Sequence, residues 1–257
     1  EVTSDKDVIG NADYAVEFRG VSLKYKNAGE DSLTGMDFAV KRGETVGIIG
    51  GTGSGKSSLV NMIPRFYDAT AGEVLIGGRD VKSFEIPELR ERIGIVPQKA
   101  VLFKGSIRDN MRWGKDDATD DEILAAAKTA QAADVIESKG GLDFEIEQGG
   151  KNLSGGQRQR FTIARALVRK PEILILDDSA SALDFATDAA LRRSIREMDT
   201  NPTVFIVSQR TSSIQHADKI IVLDDGKIAG IGKHDELLNN CPVYSEIYNS
   251  QFKKEAV

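Results

Sequence analysis

The sequence predicts an α/β protein built around a parallel β-sheet. Four apolar segments have the length of strands and carry no polar face, at residues 44–50, 172–177, 203–208 and 219–224. Strands that are apolar on both faces are typical of sheets that helices cover on both sides. Helical patterns lie between most of these segments, and strands that alternate with helices are typical of a parallel sheet.

The first third of the chain contains other kinds of strand. Residues 1–13 are polar and are expected to be a lead-in or linker. From Tyr14 the apolar residues alternate with polar ones, and they do so again over residues 36–40, which predicts half-buried antiparallel strands. A helix is expected over about residues 56–66, and a short strand with a turn over residues 72–80.

Between its apolar strands, the rest of the chain is expected to be largely helical. Residues 87–169 have a mostly helical pattern, in which Thr119 is the expected N-cap of a helix with acidic residues in its first turn. Another helix is expected after the segment NLSGGQ, and Trp113 is expected to pack within this helical part. Helical patterns return at residues 186–198 and again at the C-terminus.

Composition and charge exclude several classes of protein. The 257 residues have a net charge of −6, whereas a general nucleic-acid binder is usually basic, so we expect no nucleic-acid partner. No apolar run approaches the roughly 20 residues that span a bilayer, and the first residues lack the pattern of a signal peptide. Because Cys241 is the only cysteine, no intramolecular disulfide is possible, which fits a reducing compartment.

A glycine-rich segment between a predicted strand and a predicted helix has the pattern of a phosphate-binding loop. The segment GGTGSGKSS fits G-x-x-x-x-G-K-[ST]. Its glycines allow consecutive backbone N–H groups to face an anion, and the start of the following helix adds positive potential. Lys56 can reach the β- and γ-phosphates and the Ser57 hydroxyl can ligate Mg²⁺, so the segment predicts binding of a nucleoside triphosphate with Mg²⁺. The expected binding residues are Gly50, Gly51, Thr52, Gly53, Ser54, Gly55, Lys56, Ser57 and Ser58.

Two adjacent carboxylates follow the apolar segment ILIL. In proteins with a phosphate loop, an acid at the end of a neighbouring strand holds the Mg²⁺ shell, and Asp177 fits that role. Asp178 stands one residue later, in the position of a general base for water. These features alone leave kinases, GTPases, motors and transporters open.

The segment NLSGGQRQR provides a second helix start that can bind an anion. Ser154, Gly155 and Gly156 are expected to expose backbone N–H groups about a hundred residues after the phosphate loop. An ordinary helix cap explains Ser154 alone. It does not explain why one chain should contain a second helix start that suits phosphate.

With these two motifs, residues 14–250 resemble the nucleotide-binding domain of ATP-binding cassette (ABC) transporters of the exporter type. The resemblance implies a P-loop NTPase (RecA-like) core of parallel strands with an antiparallel β subdomain. It implies an α-helical subdomain over about residues 99–165, within a domain that spans residues 14–257. It also implies that two such domains pair head to tail, with ATP between the phosphate loop of one and the LSGGQ segment of the other.

The resemblance implies roles for further residues. Tyr25 matches the aromatic residue that stacks on adenine, and Gln98 matches the glutamine that contacts Mg²⁺ and water. The implied Mg²⁺ ligands are Ser57, Gln98 and Asp177. The LSGGQ residues implied to contact ATP are Ser154, Gly155, Gly156 and Gln157.

The resemblance also implies the partners and the location of the domain. The segment QKAVLFKGSIRDN resembles exporters rather than importers, so the helical subdomain is expected to face transmembrane domains. The domain is then expected at the cytoplasmic face of the cell membrane. The segment SALD, residues 181–184, matches the loop that crosses the interface between the two paired domains.

Two positions depart from the family pattern at the reacting end of the site. Asp178 stands where the family usually has a glutamate general base, and Gln209 stands where it usually has a histidine that contacts the γ-phosphate. The aspartate carboxylate falls short by roughly 1.5 Å, and a displacement of about 1 Å can slow a reaction on the order of a hundredfold. Glutamine cannot carry a proton. We therefore expect Asp178, Gln209 and Gln98 to line a weakly hydrolytic or non-hydrolytic site.

These departures lead to the hypothesis of a heterodimeric exporter in which this chain forms the degenerate site. Its phosphate loop would hold ATP for a long time, and its LSGGQ segment would complete the competent site of a partner chain with an intact catalytic glutamate. Two alternatives remain open, a homodimeric ABC ATPase with slow turnover and a regulatory ATP-binding module without hydrolysis. A soluble ABC ATPase of DNA repair or translation is disfavoured, because such proteins usually carry coiled-coil insertions or a second cassette.

Overall fold

The computed structural model describes residues 13–252, which form two compact units. The first unit contains residues up to 90 together with residues from 203 onward, and the second contains residues 91–202. The predicted lead-in, apart from Asp13, lies outside the described residues. The helical subdomain predicted over residues 99–165 falls within the range of the second unit, and its limits stay a prediction.

The described residues contain the following strands and helices. The strands are β1 (Tyr14–Leu23), β2 (Leu33–Lys41), β3 (Thr45–Gly50), β4 (Ala71–Ile76), β5 (Arg79–Asp80), β6 (Ile93–Val96), β7 (Gly105–Ser106), β8 (Glu145–Ile146), β9 (Ile173–Asp177), β10 (Thr203–Val207), β11 (Lys219–Asp224) and β12 (Lys227–Gly232). The helices are α1 (Lys56–Met62), α2 (Ile86–Glu91), α3 (Ile107–Arg112), α4 (Asp120–Thr129), α5 (Ala133–Ser138), α6 (Gly155–Leu167), α7 (Phe185–Arg196), α8 (His234–Asn240) and α9 (Pro242–Phe252).

An antiparallel sheet in the first unit has the strand order β2–β1–β4–β5. The alternating apolar residues of β1, among them Phe18 and Val21, are buried. Phe18 lies opposite Phe38 of β2, and the two rings stack with their centroids 4.6 Å apart. The prediction of antiparallel strands from Tyr14 and over residues 36–40 is confirmed.

Parallel strands form the core of the fold, as the apolar segments predict. In the first unit β11, β3 and β10 run parallel in that order, and β12 pairs with β11 in the antiparallel direction. Every residue of β3 and of β10 is buried. In the second unit β6 runs parallel to β9. Strands without an exposed face require cover on both sides, which explains why these segments lack polar residues.

Helix α4 begins with the capping arrangement expected at Thr119. The Thr119 hydroxyl accepts the backbone N–H of Glu122 at 3.3 Å, and the Glu122 carboxylate accepts the backbone N–H of Thr119 at 3.0 Å. Lys115 donates to the same carboxylate at 2.6 Å. These donors hold the pKa of Glu122 below its ordinary value of 4.5, with the hydrogen bond from Lys115 as the largest cause. The predicted N-cap is confirmed.

One predicted helix is too long, and one mostly helical segment also contains short strands. The first helix ends at Met62 rather than near residue 66, because Pro64 follows closely and Arg65 adopts a left-handed φ of 54°. Residues 87–169 also contain β6 and the short antiparallel pair of β7 and β8. Strands of two to four residues are too short to show a periodic pattern.

Candidate functional site

Glycines shape the loop between β3 and α1. Gly53 and Gly55 have φ values of 83° and 94°, in the left-handed region that glycine adopts without strain. A Cβ atom on Gly55 would lie 2.6 Å from Cδ2 of Leu33, so a larger residue would displace its neighbour. The backbone therefore curls where the sequence pattern requires it.

Lys56 reaches back into this loop. Its Nζ atom donates to the carbonyl oxygens of Gly50 at 2.8 Å and of Gly51 at 2.7 Å, and to Oγ of Ser54 at 3.5 Å. These bonds hold a positive charge within a curl of backbone that starts a helix. Such an arrangement is suited to the oxygens of a phosphate group.

Tyr25 is fixed beside the same loop. Its hydroxyl shares a hydrogen bond of 2.8 Å with the hydroxyl of Ser58, the last residue of the motif. Its ring meets the ring of Tyr67 edge to face, with centroids 4.9 Å apart and planes at 85°. The aromatic residue implied to stack on adenine is thus adjacent to the residues implied to hold the phosphates, as a single bound nucleotide would require.

The two carboxylates stand at the end of β9, in the second unit. Asp177 is the last residue of the strand, and both Asp177 and Asp178 are half-buried. Asp178 has a φ of 46°, in the left-handed region that Asp occupies more readily than most residues. Gln98 donates its side-chain Nε2 to Oδ2 of Asp178 at 3.1 Å. With its nitrogen engaged in this way, the oxygen of the Gln98 amide is the end that can ligate a cation.

Helix α6 begins at the LSGGQ segment, also in the second unit. The Ser154 hydroxyl accepts the backbone N–H of Gln157 at 3.2 Å, and the Gln157 side chain accepts the backbone N–H of Ser154 at 3.0 Å. Ser154 and Gly155 are exposed, and the first turn contains no acidic residue. This 13-residue helix therefore offers an anion its positive end without a competing carboxylate.

The segment after β10 contains Gln209, in the first unit. Ser208 donates its backbone N–H to the carbonyl oxygen of Ile48 in β3 at 3.1 Å, which carries the pairing one residue past the end of the strand. The next residue, Gln209, is exposed, whereas Thr211 is fully buried. The chain therefore turns back into the protein just after Gln209.

Asp184 closes the SALD segment by capping α7. Its two carboxylate oxygens accept the backbone N–H of Thr187 at 2.9 Å and the Thr187 hydroxyl at 2.7 Å. The backbone N–H of Thr187 is the largest cause that holds the pKa of Asp184 below 3.8. The carboxylate therefore stays ionised at neutral pH as part of the helix start.

The residues predicted from the sequence divide between the two units. Within the first unit, the phosphate loop and Tyr25 meet through Ser58, and Gln209 follows β10. Within the second unit, Gln98 contacts Asp178, and Ser154 caps α6. The roles of these residues stay predictions.

The second unit contains an exposed aromatic pair that was not among the predicted site residues. The rings of Phe103 and Trp113 stack with centroids 4.8 Å apart, yet the residues are 44% and 65% exposed. Arg165 lies over the Phe103 ring at 5.7 Å and donates to the carbonyl oxygen of Val101 at 2.9 Å. Trp113 therefore packs against a neighbour, as expected, but on the surface.

The predicted donors fit ATP with Mg²⁺. Mg²⁺ prefers oxygen ligands, and Ser57, Gln98 and Asp177 supply a hydroxyl, an amide oxygen and a carboxylate. Among residues 13–252, no group of three His, Cys, Asp or Glu side chains is placed to hold a metal ion. The phosphate oxygens of a nucleotide are also suited to ligate Mg²⁺.

Comparison with known protein families identifies a matching model. Residues 33–181 match the model described as ABC transporter. This range includes the phosphate loop, the LSGGQ segment and both carboxylates after β9.

Similar proteins include transporters and one solved exporter. The chain is 44% identical over 241 residues to YfiB of Bacillus subtilis (strain 168), an uncharacterized ABC transporter ATP-binding protein, covering 93% of this chain. It is 43% identical over 237 residues to YgaD of the same organism, whose name describes it as a candidate multidrug export ATP-binding/permease protein, covering 92% of this chain. A bacterial Atm1-family ABC exporter solved with ATP bound superimposes with a TM-score of 0.87 at 36% identity, covering 96% of this chain.

The chain is shorter than these proteins. It spans 42% of YfiB, 41% of YgaD and 45% of the Atm1-family exporter chain. Within the described part of the chain, no helix has both the length and the hydropathy needed to cross a membrane.

Proposed function

The chain belongs to the ABC transporter family, as a domain homologous to the ATP-binding parts of ABC exporters, and from this premise we propose that it binds MgATP and powers export while hydrolysing ATP slowly at its own site. The observation that supports ATP binding most directly is the position of Lys56, with its Nζ bonded to Gly50 and Gly51 inside the glycine loop. The solved exporter that superimposes on the chain contains ATP.

The phosphate loop and Tyr25 hold the nucleotide in this proposal. Lys56 exchanges its bonds to backbone carbonyls for bonds to phosphate oxygens, which are charge-assisted and stronger. Tyr25 places its ring against the adenine. Ser57, Gln98 and Asp177 are the residues that would hold Mg²⁺, which would supply positive charge to the phosphates.

The LSGGQ segment serves a second ABC domain. In the proposed head-to-tail pairing, the capped start of α6 is the anion-binding end that meets the nucleotide of another domain, and the exposure of Ser154 and Gly155 supports this role. We infer that Ser154, Gly155, Gly156 and Gln157 contact ATP held by the partner domain. Head-to-tail pairing then places one ATP at each phosphate loop.

Slow hydrolysis follows from the two substituted positions. A general base must come within about 2.6–3.2 Å of the water that it activates, and Asp178 is one methylene shorter than the glutamate usual in this family. Its carboxylate already accepts the Gln98 amide at 3.1 Å. Gln209 can donate a hydrogen bond to the terminal phosphate but cannot provide the positive charge of a protonated histidine.

We propose a partner chain whose own site retains the catalytic glutamate. In such a heterodimer this chain contributes Ser154 and its neighbours to the fast site and retains ATP at the slow one. A homodimer with two slow sites is the competing arrangement. The composition of the assembled transporter, together with the effect of Asp178→Ala described below, distinguishes the two.

The exposed face around Phe103 and Trp113 supports contact with transmembrane domains. A stacked pair of aromatic rings that remains largely exposed is typical of an interaction surface. We propose that this face of the second unit contacts the membrane-embedded part of the transporter at the cytoplasmic face of the cell membrane.

Binding of MgATP tests the first part of the proposal. Lys56→Ala should weaken MgATP binding by at least about tenfold, because a charge-assisted contact to phosphate is lost. Lys24→Ala is the matched control, since Lys24 also donates to a backbone carbonyl, that of Gly29, but in an exposed loop after β1. Equal affinities for the wild-type chain and Lys56→Ala in a calorimetric titration would contradict ATP binding at this loop.

Transport by the assembled exporter tests the second part. Asp178→Ala should leave most of the transport rate in place, whereas loss of the partner's catalytic glutamate should abolish it. Equal abolition by the two substitutions would contradict the assignment of a degenerate site to this chain.

A further inference from the structure

The side chain of Gln251, near the end of α9, bridges the segment that follows β10. Its Oε1 accepts the backbone N–H of Thr211 at 2.9 Å and the Thr211 hydroxyl at 3.0 Å. Its Nε2 donates to the carbonyl oxygen of Gln209 at 2.7 Å. One amide therefore joins the C-terminal helix to both ends of a three-residue turn that is about forty residues distant in the chain.

The turn is anchored on its other sides as well. Before it, Ser208 donates to Ile48 of β3 at 3.1 Å, and the Ser208 hydroxyl accepts the backbone N–H of Arg210 at 3.0 Å. After it, Ile214 packs so closely on β3 that a Cβ atom on Gly47 would lie 2.6 Å from Cβ of Ile214. The backbone around Gln209 is thus fixed at both ends, and Gln251 supplies the contact to its carbonyl group.

The chemistry of this bridge suits an amide, which supplies an acceptor and a donor from one side chain. The backbone N–H and the hydroxyl of Thr211 both donate to the Gln251 side chain, and the carbonyl oxygen of Gln209 accepts from it. These partners fix which end of the Gln251 amide is the oxygen and which is the nitrogen. A carboxylate could accept from Thr211 but would repel the carbonyl oxygen of Gln209. An apolar side chain would leave the buried Thr211 hydroxyl without this acceptor.

We propose that Gln251 is a positioning residue for Gln209. By holding the Gln209 carbonyl, it fixes the plane of the peptide that follows and therefore the direction in which the Gln209 side chain leaves the backbone. This inference rests on the proposed function, in which Gln209 meets the terminal phosphate of ATP. The C-terminal helix then acts on the nucleotide site through one side chain, without contacting the nucleotide.

Preference for MgATP over MgADP is the quantity that this contact should change, because only ATP has the phosphate that Gln209 would meet. The purified 257-residue chain should bind MgATP more tightly than MgADP. We define the preference as the Kd for MgADP divided by the Kd for MgATP. Gln209→Ala should reduce this preference about fivefold, as expected for the loss of one hydrogen bond. Gln251→Ala should reduce it to a similar extent, and the double variant should lose no more than Gln209→Ala alone.

Gln251→Glu separates the effect of the contact to Gln209 from the effect of the contact to Thr211. It keeps the acceptor for Thr211 and removes the donor to Gln209. Hydrogen exchange of the Thr211 backbone amide should therefore stay slow in Gln251→Glu and become fast in Gln251→Ala, while both variants lose the preference for MgATP. Asn249→Ala, which removes an exposed amide from the same helix, should change neither measurement.

Two results would overturn the inference while leaving the proposed function in place. One is a preference for MgATP over MgADP that is as large in Gln251→Ala and Gln251→Glu as in the wild type. The other is a double variant whose loss equals the product of the two single losses, because independent effects multiply. A wild-type chain that fails to bind MgATP would instead contradict the proposed function itself, and this inference with it.

Discussion

The side-chain amide of Gln98 donates to the carboxylate of Asp178, with 3.1 Å between Nε2 and Oδ2. The bond joins the segment after β6 to the segment after β9, two strands that run parallel in the same unit. It orients the oxygen of Gln98 away from Asp178, where it can ligate a cation, and it occupies part of the carboxylate proposed to face the attacking water. One contact thus relates the proposed metal ligand to the proposed base.

Replacement of Tyr25 should separate recognition of the base from recognition of the phosphates. Tyr25→Ala should weaken MgATP binding by about tenfold or more, since stacking on one base contributes about 1–3 kcal/mol. Tyr25→Phe keeps the ring and loses only the hydrogen bond to Ser58, so it should bind MgATP almost as the wild type does. Inorganic tripolyphosphate with Mg²⁺ should bind all three chains equally well. A loss of tripolyphosphate binding in Tyr25→Ala would show that Tyr25 acts on the loop rather than on adenine.

Two helix caps of the same kind allow a matched test of the LSGGQ segment. Ser154→Ala and Thr119→Ala each remove an N-cap hydroxyl within a capping box and should each lower the free energy of unfolding by about 1 kcal/mol. Only Ser154→Ala should also weaken ATP-dependent pairing of the domains, as measured by analytical ultracentrifugation. MgATP binding to the unpaired chain should not change in either variant. Equal pairing in the two variants would contradict a phosphate-contacting role for Ser154.

The C-terminal helix provides a prediction for alkaline pH. Tyr244 is fully buried, and its hydroxyl lies 2.7 Å from Nδ1 of His234. Burial, followed by the influence of Tyr248 and Asp235, raises the pKa of Tyr244 from 10.0 to about 12. Because the folded protein favours the neutral phenol, this contribution to stability is complete below pH 10 and is lost as the pH rises through about 12.

Ultraviolet titration of tyrosinate measures this effect directly. A tyrosinate step near pH 12 is expected from Tyr244, together with unfolding of α9 followed by circular dichroism. Tyr244→Phe should lack this step. If the wild type and Tyr244→Phe showed no difference near pH 12, the burial of Tyr244 in solution would be contradicted.

Much of the fold could be predicted because its central strands are buried on both faces. A segment such as Thr45–Gly50 has no polar face, so its apolar pattern predicts a buried strand clearly. The glycine loop that follows this strand has a composition that few other structures require. The short strands have too few residues to show a comparable hydrophobic pattern. Ile93–Val96 is a strand because it pairs with β9, a partner about eighty residues away, and four residues of local sequence do not reveal that pairing.

Side-chain contacts between distant segments were beyond prediction for the same reason. Nothing near Gln251 in the sequence indicates that its amide meets Gln209 and Thr211. The exposure of Trp113 was equally hidden, since an aromatic residue in a helical pattern is usually buried. The motifs predicted which residues could bind a nucleotide, whereas the contacts that orient those residues became visible only in the structure.

Single-turnover hydrolysis of MgATP by the wild-type chain, Asp178→Asn and Asp178→Glu tests the central claim most directly, first in the purified chain and then in the assembled transporter. Wild type and Asp178→Asn should both be slow. Asp178→Glu should be at least about tenfold faster, because the additional methylene group brings the carboxylate closer to the attacking water. A displacement of about 1 Å at this point can slow a reaction on the order of a hundredfold. The left-handed φ of 46° at this position should cost Asp178→Glu about 1–2 kcal/mol of stability, which thermal unfolding would monitor. Rapid hydrolysis by the wild type, abolished in Asp178→Asn and not improved in Asp178→Glu, would contradict the account.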